Sequence, residues 1–165
     1  MPQFFDRYIN LVEEDNLIVA LKQSLDDLDK LNLEIFKSIA LKTYADKKWT
    51  TNEVFQHIID NERVQSYRAL RLARFDKTEL PGFDQDIFAK HTLANTRTFE
   101  YLLEELKLVR QSSIHLFKNL NEASLLNIGV CSNVKINALA LGFVIVGHQK
   151  HHLDIIEDRY FPLAS

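Results

Sequence analysis

TTNEVFQHIIDNERVQSYRALRLARF, residues 50–75, is the stretch on which the fold turns. Its opening Thr50-Thr51-Asn52-Glu53 reads as a capping box: the Thr50 hydroxyl satisfies the orphan amide of Glu53, and the Glu53 carboxylate reaches back to the cap. A helix therefore starts there and runs to about Phe75, with Val54, Phe55, Ile58, Ala69 and Leu72 on its apolar face. Three further stripes share this period. Upstream, Leu17, Leu21, Leu25 and Leu28 place a helix over about residues 16–30, with Asp15 as its N-cap. Downstream, Phe99, Leu102, Leu103, Leu106, Val109, Ser113, Leu116, Phe117 and Leu120 make a third helix, capped near Asn95 or Thr96. Asn137 caps the fourth, with Ile136 and Leu141 spaced as a hydrophobic staple, and Pro162 stops it beyond Tyr160. KTELPGFDQD, residues 77–86, carries a Pro-Gly pair and is expected to be a crossing loop. The connections 31–49 and 121–136 are too long for minimal hairpins, so a bundle with at least one crossover is expected.

A length of 165 residues fits one domain, residues 1–165. Four glycines and three prolines are far below the roughly 12% combined usage of ordinary domains, which argues against turn-rich β architectures and for an almost wholly helical chain. A formal charge of −3 and a pI near 6.1 offer no field for gripping a phosphate backbone, so no nucleic-acid partner is expected. Cys131 stands alone, which rules out an intramolecular disulfide or a thiolate cluster and fits a reducing cytoplasm. The N-terminal MPQFFDRYIN meets Asp6 and Arg7 before any apolar run, so no export signal is expected. The apolar run ALALGFVIV, residues 138–146, falls short of the ~18 residues needed to span a bilayer. It is expected in a soluble core, with no membrane partner.

Six histidines occur, and three crowd into Gly147-His148-Gln149-Lys150-His151-His152. At about 100° per residue, His148 and His152 fall inside the stripe of Leu141, Val144, Ile145 and Ile155, while His151 lies toward its edge. An i, i+4 pair on one face can point both neutral imidazoles at a common ion. A third ligand is then needed from elsewhere, and His57, at the margin of the apolar face of the second helix, is the best placed. The alternative is three hydrogen-bonded structural or exposed histidines. Glu-x-x-His is absent, which disfavours a di-iron carboxylate bundle, and Gln149 stands where a His-Glu-x-x-His peptidase keeps its general base.

Lys48-Trp49-Thr50 with the helix that follows it to Arg63, then Tyr67-Arg68-Ala69-Leu70-Arg71, Leu80-Pro81-Gly82-Phe83-Asp84, and His148 to His152 resemble the DinB-like and YfiT-like superfamily of metal-dependent proteins. The likeness extends from about Tyr8 to Pro162. It implies an all-α four-helix bundle of up-down-down-up connectivity, often a homodimer. It also implies one divalent ion, nickel or zinc, on His57, His148 and His152. Some related members are thiol-dependent S-transferases or glutathione-dependent isomerases, and the position of Gln149 is frequently Glu in similar sequences.

Three neutral imidazoles leave the charge of an ion uncompensated and favour a bound anion, so a low-molecular-weight thiol or another small anionic substrate is the expected partner. Glu62 lies on the apolar face of its helix, either as a buried acceptor or base or as a structural carboxylate tied to an arginine. Arg68 shares nearly the face of His57 and could meet an anionic substrate, but an arginine on a helix surface is usually solvated, so it is kept outside the site. Trp49 and Tyr44 are expected to pack beneath the loop entering the second helix. The functional expectation is a metal-dependent transferase or hydrolase with an open ion. The alternative is a structural or stress-response metal-binding bundle.

Overall fold

The computed structural model describes residues 4–164. Among the described residues there are eight α-helices: α1 (Asp6–Ile9), α2 (Leu17–Asp29), α3 (Leu33–Ile39), α4 (Thr51–Ala73), α5 (Gln85–Lys90), α6 (Phe99–Lys118), α7 (Glu122–Leu126) and α8 (Ala138–Arg159). The long helices α2, α4, α6 and α8 form a four-helix bundle. Side-chain register fixes their directions. Glu62 and Ser66 on α4 meet Arg110 and Ser113 on α6, so these two run parallel. His57 meets both His148 and His152 on α8, and Tyr160 reaches back to Trp49, so α4 and α8 are antiparallel. Lys107 and Arg110 on α6 meet Asp29 and Ser24 on α2, an antiparallel pairing, whereas Gly142 and Gln149 on α8 meet Leu17 and Ser24 in parallel register. The result is up-down-down-up. Because α4 and α6 run the same way, residues 74–98 must return along α4, whose 23 residues span about 34 Å.

Local chemistry explains the ends. The capping box at Thr50 is present in both directions, with Glu53 N–H to Thr50 Oγ1 at 3.1 Å and Thr50 N–H to Glu53 Oε2 at 2.8 Å. Asn137 accepts from Ala140 N–H at 2.9 Å. Two expected caps are displaced. Asn16, not Asp15, accepts from Ile18 and Val19 at the start of α2, and Thr98, not Asn95 or Thr96, caps α6. Residues 94–96 instead form a 3₁₀ turn fastened to the start of α4, where Asn52 donates to the Ala94 and Arg97 carbonyls and Asn95 contacts Thr50 and Glu53. The long connections contain structure that periodicity did not predict: α3 within 31–49, and α7 followed by a hairpin within 121–136. The strands β1 (Ile128–Cys131) and β2 (Val134–Asn137) pair antiparallel through Ser132-Asn133, both at positive φ, the primed-turn geometry that suits a two-residue hairpin. Leu80 adds to β1, its N–H bonding the Val130 carbonyl at 3.0 Å and its carbonyl accepting from Ser132 at 2.9 Å.

Two apolar clusters fill the bundle. One holds Leu17, Leu21, Leu72, Phe117, Leu141, Val144 and Ile145; the other holds Leu28, Phe36, Phe55, Ile58, Phe99, Leu106, Ile156 and Tyr160. A buried polar layer separates them on all four long helices: Ser24, Glu62, Arg110, His148 and Gln149. No helix among the described residues is long and apolar enough to cross a membrane.

Candidate metal centre

The polar layer contains the histidine cluster. His57 Nε2 lies 3.0 Å from His148 Nε2, and His152 Nε2 lies 3.2 Å from the same atom. The three ligand atoms all fall within 4.8 Å of one another, with His57 and His148 buried and His152 partly so. At a metal–nitrogen distance of about 2.0–2.1 Å, neighbouring ligands are separated by about 2.9 Å at a right angle and about 3.3 Å at the tetrahedral angle. Both separations from His148 fit that range, and the His57–His152 pair lies within 4.8 Å, where one ion on all three needs about 4.2 Å or less. Hydrogen bonding alone cannot account for them. A ring nitrogen offers one in-plane position, either a lone pair or a proton, yet His148 Nε2 faces His57, His152 and, at 3.3 Å, the amide of Asn61. The donor set therefore fits a divalent ion.

Electrostatics points the same way. Burial pushes His57 down from the ordinary 6.5 to about 4. Burial first, then the neighbouring His57, His151 and Arg7, pushes His152 down to about 3. His148 is driven well below 6.5 by its burial and then by the other histidines and Arg7. All three are neutral at neutral pH, the state in which an imidazole ligates. Trp49 packs its ring 5.0 Å from that of His57, and Tyr8 lies 5.2 Å from His148 and 5.5 Å from His151. His151 is half-buried on this edge and outside the cluster.

The other residues singled out by sequence are placed as follows. Glu62 sits in the polar layer with both carboxylate oxygens engaged by Arg110, at 2.8 and 2.9 Å, the structural one of its two readings. Gln149 turns away from the histidines and donates to the Ser24 carbonyl at 2.8 Å. Its burial reflects α8 packing against α1, α2 and α4 at once, so that more than one face of α8 is covered. Arg68, expected to be solvated, is instead buried and donates to Gln65, Pro81 and Ser132. Trp49 reaches the cluster directly as well as the loop before α4.

Two openings lead to the cluster. A cavity of about 380 Å³ has His148 and Asn61 in its wall together with Arg7, Tyr8, Arg68, Phe83 and Ser132. A smaller one of about 240 Å³ reaches His152 between Trp49, Tyr44 and Tyr160. Asn61, Arg7 and Arg68 went unassigned from sequence. Asn61 carried a signal, since it follows His57 by four residues on the same helix face.

Comparison with known proteins agrees with this picture. A sequence model described as the DinB superfamily matches residues 20–156. Curated proteins offer no sequence match. Among solved structures, YfiT from Bacillus subtilis, described as a probable metal-dependent hydrolase with an unusual four-helix bundle topology, superposes with a TM-score of 0.69 at 17% identity. The alignment covers 96% of this chain and 87% of that one.

Proposed function

The chain belongs to the DinB superfamily, and from that premise we propose that it is a metal-dependent enzyme that holds one divalent ion, nickel or zinc, on His57, His148 and His152. One observation carries the proposal: three neutral imidazole nitrogens converge beneath a cavity, and no carboxylate or thiol among the described residues joins them as a fourth ligand. A three-nitrogen site with an exchangeable position is the pattern of a catalytic rather than a structural ion. An ion there would supply Lewis-acid chemistry, lowering the pKa of a coordinated water or thiol. The chain's own residues set the surroundings. Burial keeps the imidazoles unprotonated, Trp49 and Tyr8 exclude solvent from their edges, and the Asn61 amide offers a polar contact 3.3 Å from His148 Nε2. Gln149, an amide turned onto the Ser24 carbonyl, cannot act as a general base, and an ion held by the three histidines would supply activation of a nucleophile in its place. Thiol transfer and hydrolysis both meet this description, and the likeness to YfiT favours neither beyond the bundle itself.

Metal analysis of protein purified without added nickel tests the site, with one nickel or zinc per chain expected. In cobalt-substituted protein, small thiols should alter the ligand-field and charge-transfer bands. A spectrum unchanged across a panel of thiols would favour a closed, non-catalytic ion. The homodimer implied by the family likeness is checked by light scattering.

A further inference from the structure

Among the described residues two arginines are buried, and they are treated differently. Arg110 is paired bidentately with Glu62. Arg68, only 3% exposed, has three neutral acceptors: Gln65 Oε1 at 3.2 Å, the Pro81 carbonyl at 2.7 Å and Ser132 Oγ at 2.9 Å. None of its hydrogen-bond or ion-pair partners among the described residues is a carboxylate. A buried charge lacking a counter-ion is costly, and the cost is relieved when a ligand brings the opposite charge. The cavity walled by Arg68 also contains Arg7 and His148 and no Asp or Glu, in a chain whose formal charge is −3. By contrast, the open groove between α2 and α8 is lined by Glu13, Glu14, Asp27, Asp154 and Glu157.

The arrangement along α4 gives this cavity a direction. His57, Asn61, Gln65 and Arg68 follow at spacings of four, four and three, so they share one face. The eleven residues from His57 to Arg68 rise about 16 Å; the gap is shortened because Arg68 reaches back to Gln65 at 3.2 Å and the histidine cluster reaches forward to Asn61, 3.3 Å from His148 Nε2. Asn61, nine-tenths buried, has an Oδ1 with no partner. Phe83, 6.0 Å from the Arg68 guanidinium, and Val144 supply apolar wall between the two ends.

Resting on the metal-site reading above, we infer that this cavity takes an organic anion. Arg68, with Arg7 at the rim, holds its carboxylate or phosphate, the middle of the molecule lies against Phe83 and Val144, and its reacting end meets the histidines. A planar guanidinium fork suits either oxyanion, and about 380 Å³ lies within the small-molecule range of roughly 300–1,000 Å³.

The test uses cobalt-loaded protein titrated with 4-mercaptobutyrate, 4-mercaptobutyl phosphate and the uncharged 4-mercaptobutanol, read from the thiolate charge-transfer band. At least one anionic thiol should bind ten-fold or more tighter than the alcohol, and the tighter of the two identifies the oxyanion. Arg68→Gln should reduce this preference to within two-fold and leave the alcohol's affinity unchanged, while Arg68→Lys should keep part of it. Calorimetry of metal-free protein with hexanoate and hexyl phosphate should show binding that Arg68→Gln abolishes. Equal affinity of charged and uncharged thiols in the unaltered protein would overturn the inference, a result that does not depend on any variant folding. So would a preference that survives Arg68→Gln. If no thiol moves the cobalt spectrum while the metal-free protein still binds the organic anion, the metal-site reading fails and the anion site stands.

Discussion

His57, His148 and His152 are neutral because they are buried beside one another, and that neutrality has two consequences. Alanine at any one of them removes a third of the donor set and should lower nickel or zinc affinity at least 100-fold by competition with a chromophoric chelator. His91→Ala and His115→Ala, on exposed side chains outside the cluster, should leave affinity unchanged. The second consequence concerns pH. The folded pKa values, about 4 for His57 and about 3 for His152, lie below the ordinary 6.5. Between those values the unfolded chain binds more protons than the folded one, so acid favours unfolding. The stability of the metal-free protein should be fully present above pH 6.5 and fall steadily toward pH 4, seen as a declining urea midpoint. A flat profile over that window would mean that the rings are accessible and already protonated in the fold. The pair His148 and His152 was legible in the sequence because four-residue spacing inside an apolar stripe is a local property. The burial of Arg68 was not, because the turn at Ser132 and the Pro81 carbonyl that receive it come from distant segments.

At the level of the elements, caps and buried pairs carry separable energies. Thr50 both caps α4 and donates to Asn95 at 2.6 Å, joining the start of α4 to the turn that precedes α6. Thr50→Ala should therefore cost about 1–2 kcal/mol in chemical denaturation, the upper part of the range for an N-cap. The Glu62–Arg110 pair crosses from α4 to α6 at 2% and 0% side-chain exposure, and Arg110 also donates to Ser24 on α2. Removing one partner strands a buried charge, so Glu62→Ala should cost about 3–5 kcal/mol, whereas the double replacement Glu62→Leu with Arg110→Met should recover most of that loss. Nickel content of the double variant should match that of the unaltered protein, and a parallel loss of metal would give Glu62 a part in the site. Helix existence was readable from stripes and caps because both depend on residues within one turn. Displaced caps at Asn16 and Thr98, the short α3 and α7, and the β1–β2 hairpin were not, since short elements carry too few periodic positions and take their stability from what they pack against.

The whole molecule depends on close approach near the middle of α8. A Cβ built on Gly147 would lie 1.9 Å from the Tyr8 carbonyl, so α1 seats against α8 only because no side chain intervenes there. Gly147→Ala should push α1 away and with it Arg7 and Tyr8, which wall the larger cavity. The expected result is a loss of about 1–3 kcal/mol with faster hydrogen exchange confined to residues 5–12, while far-UV circular dichroism stays helical. Uniform exchange along the chain would show that α1 does not seat independently. The number of long helices, their faces and the histidine pair on one of them were legible in the sequence, because periodicity, capping and i, i+4 spacing are set by residues a few positions apart. The parallel course of α4 and α6 was implied only by the family likeness, and His57 was singled out by its place at the margin of an apolar face. The structure shows the parallel pair and the meeting of the three histidines, and it alone revealed the polar layer that splits the core and the burial of Arg68 without a carboxylate. Each of those depends on which segments the chain brings together across tens of residues, where the pairing is chosen by the joint packing of all four helices and leaves no local pattern to read.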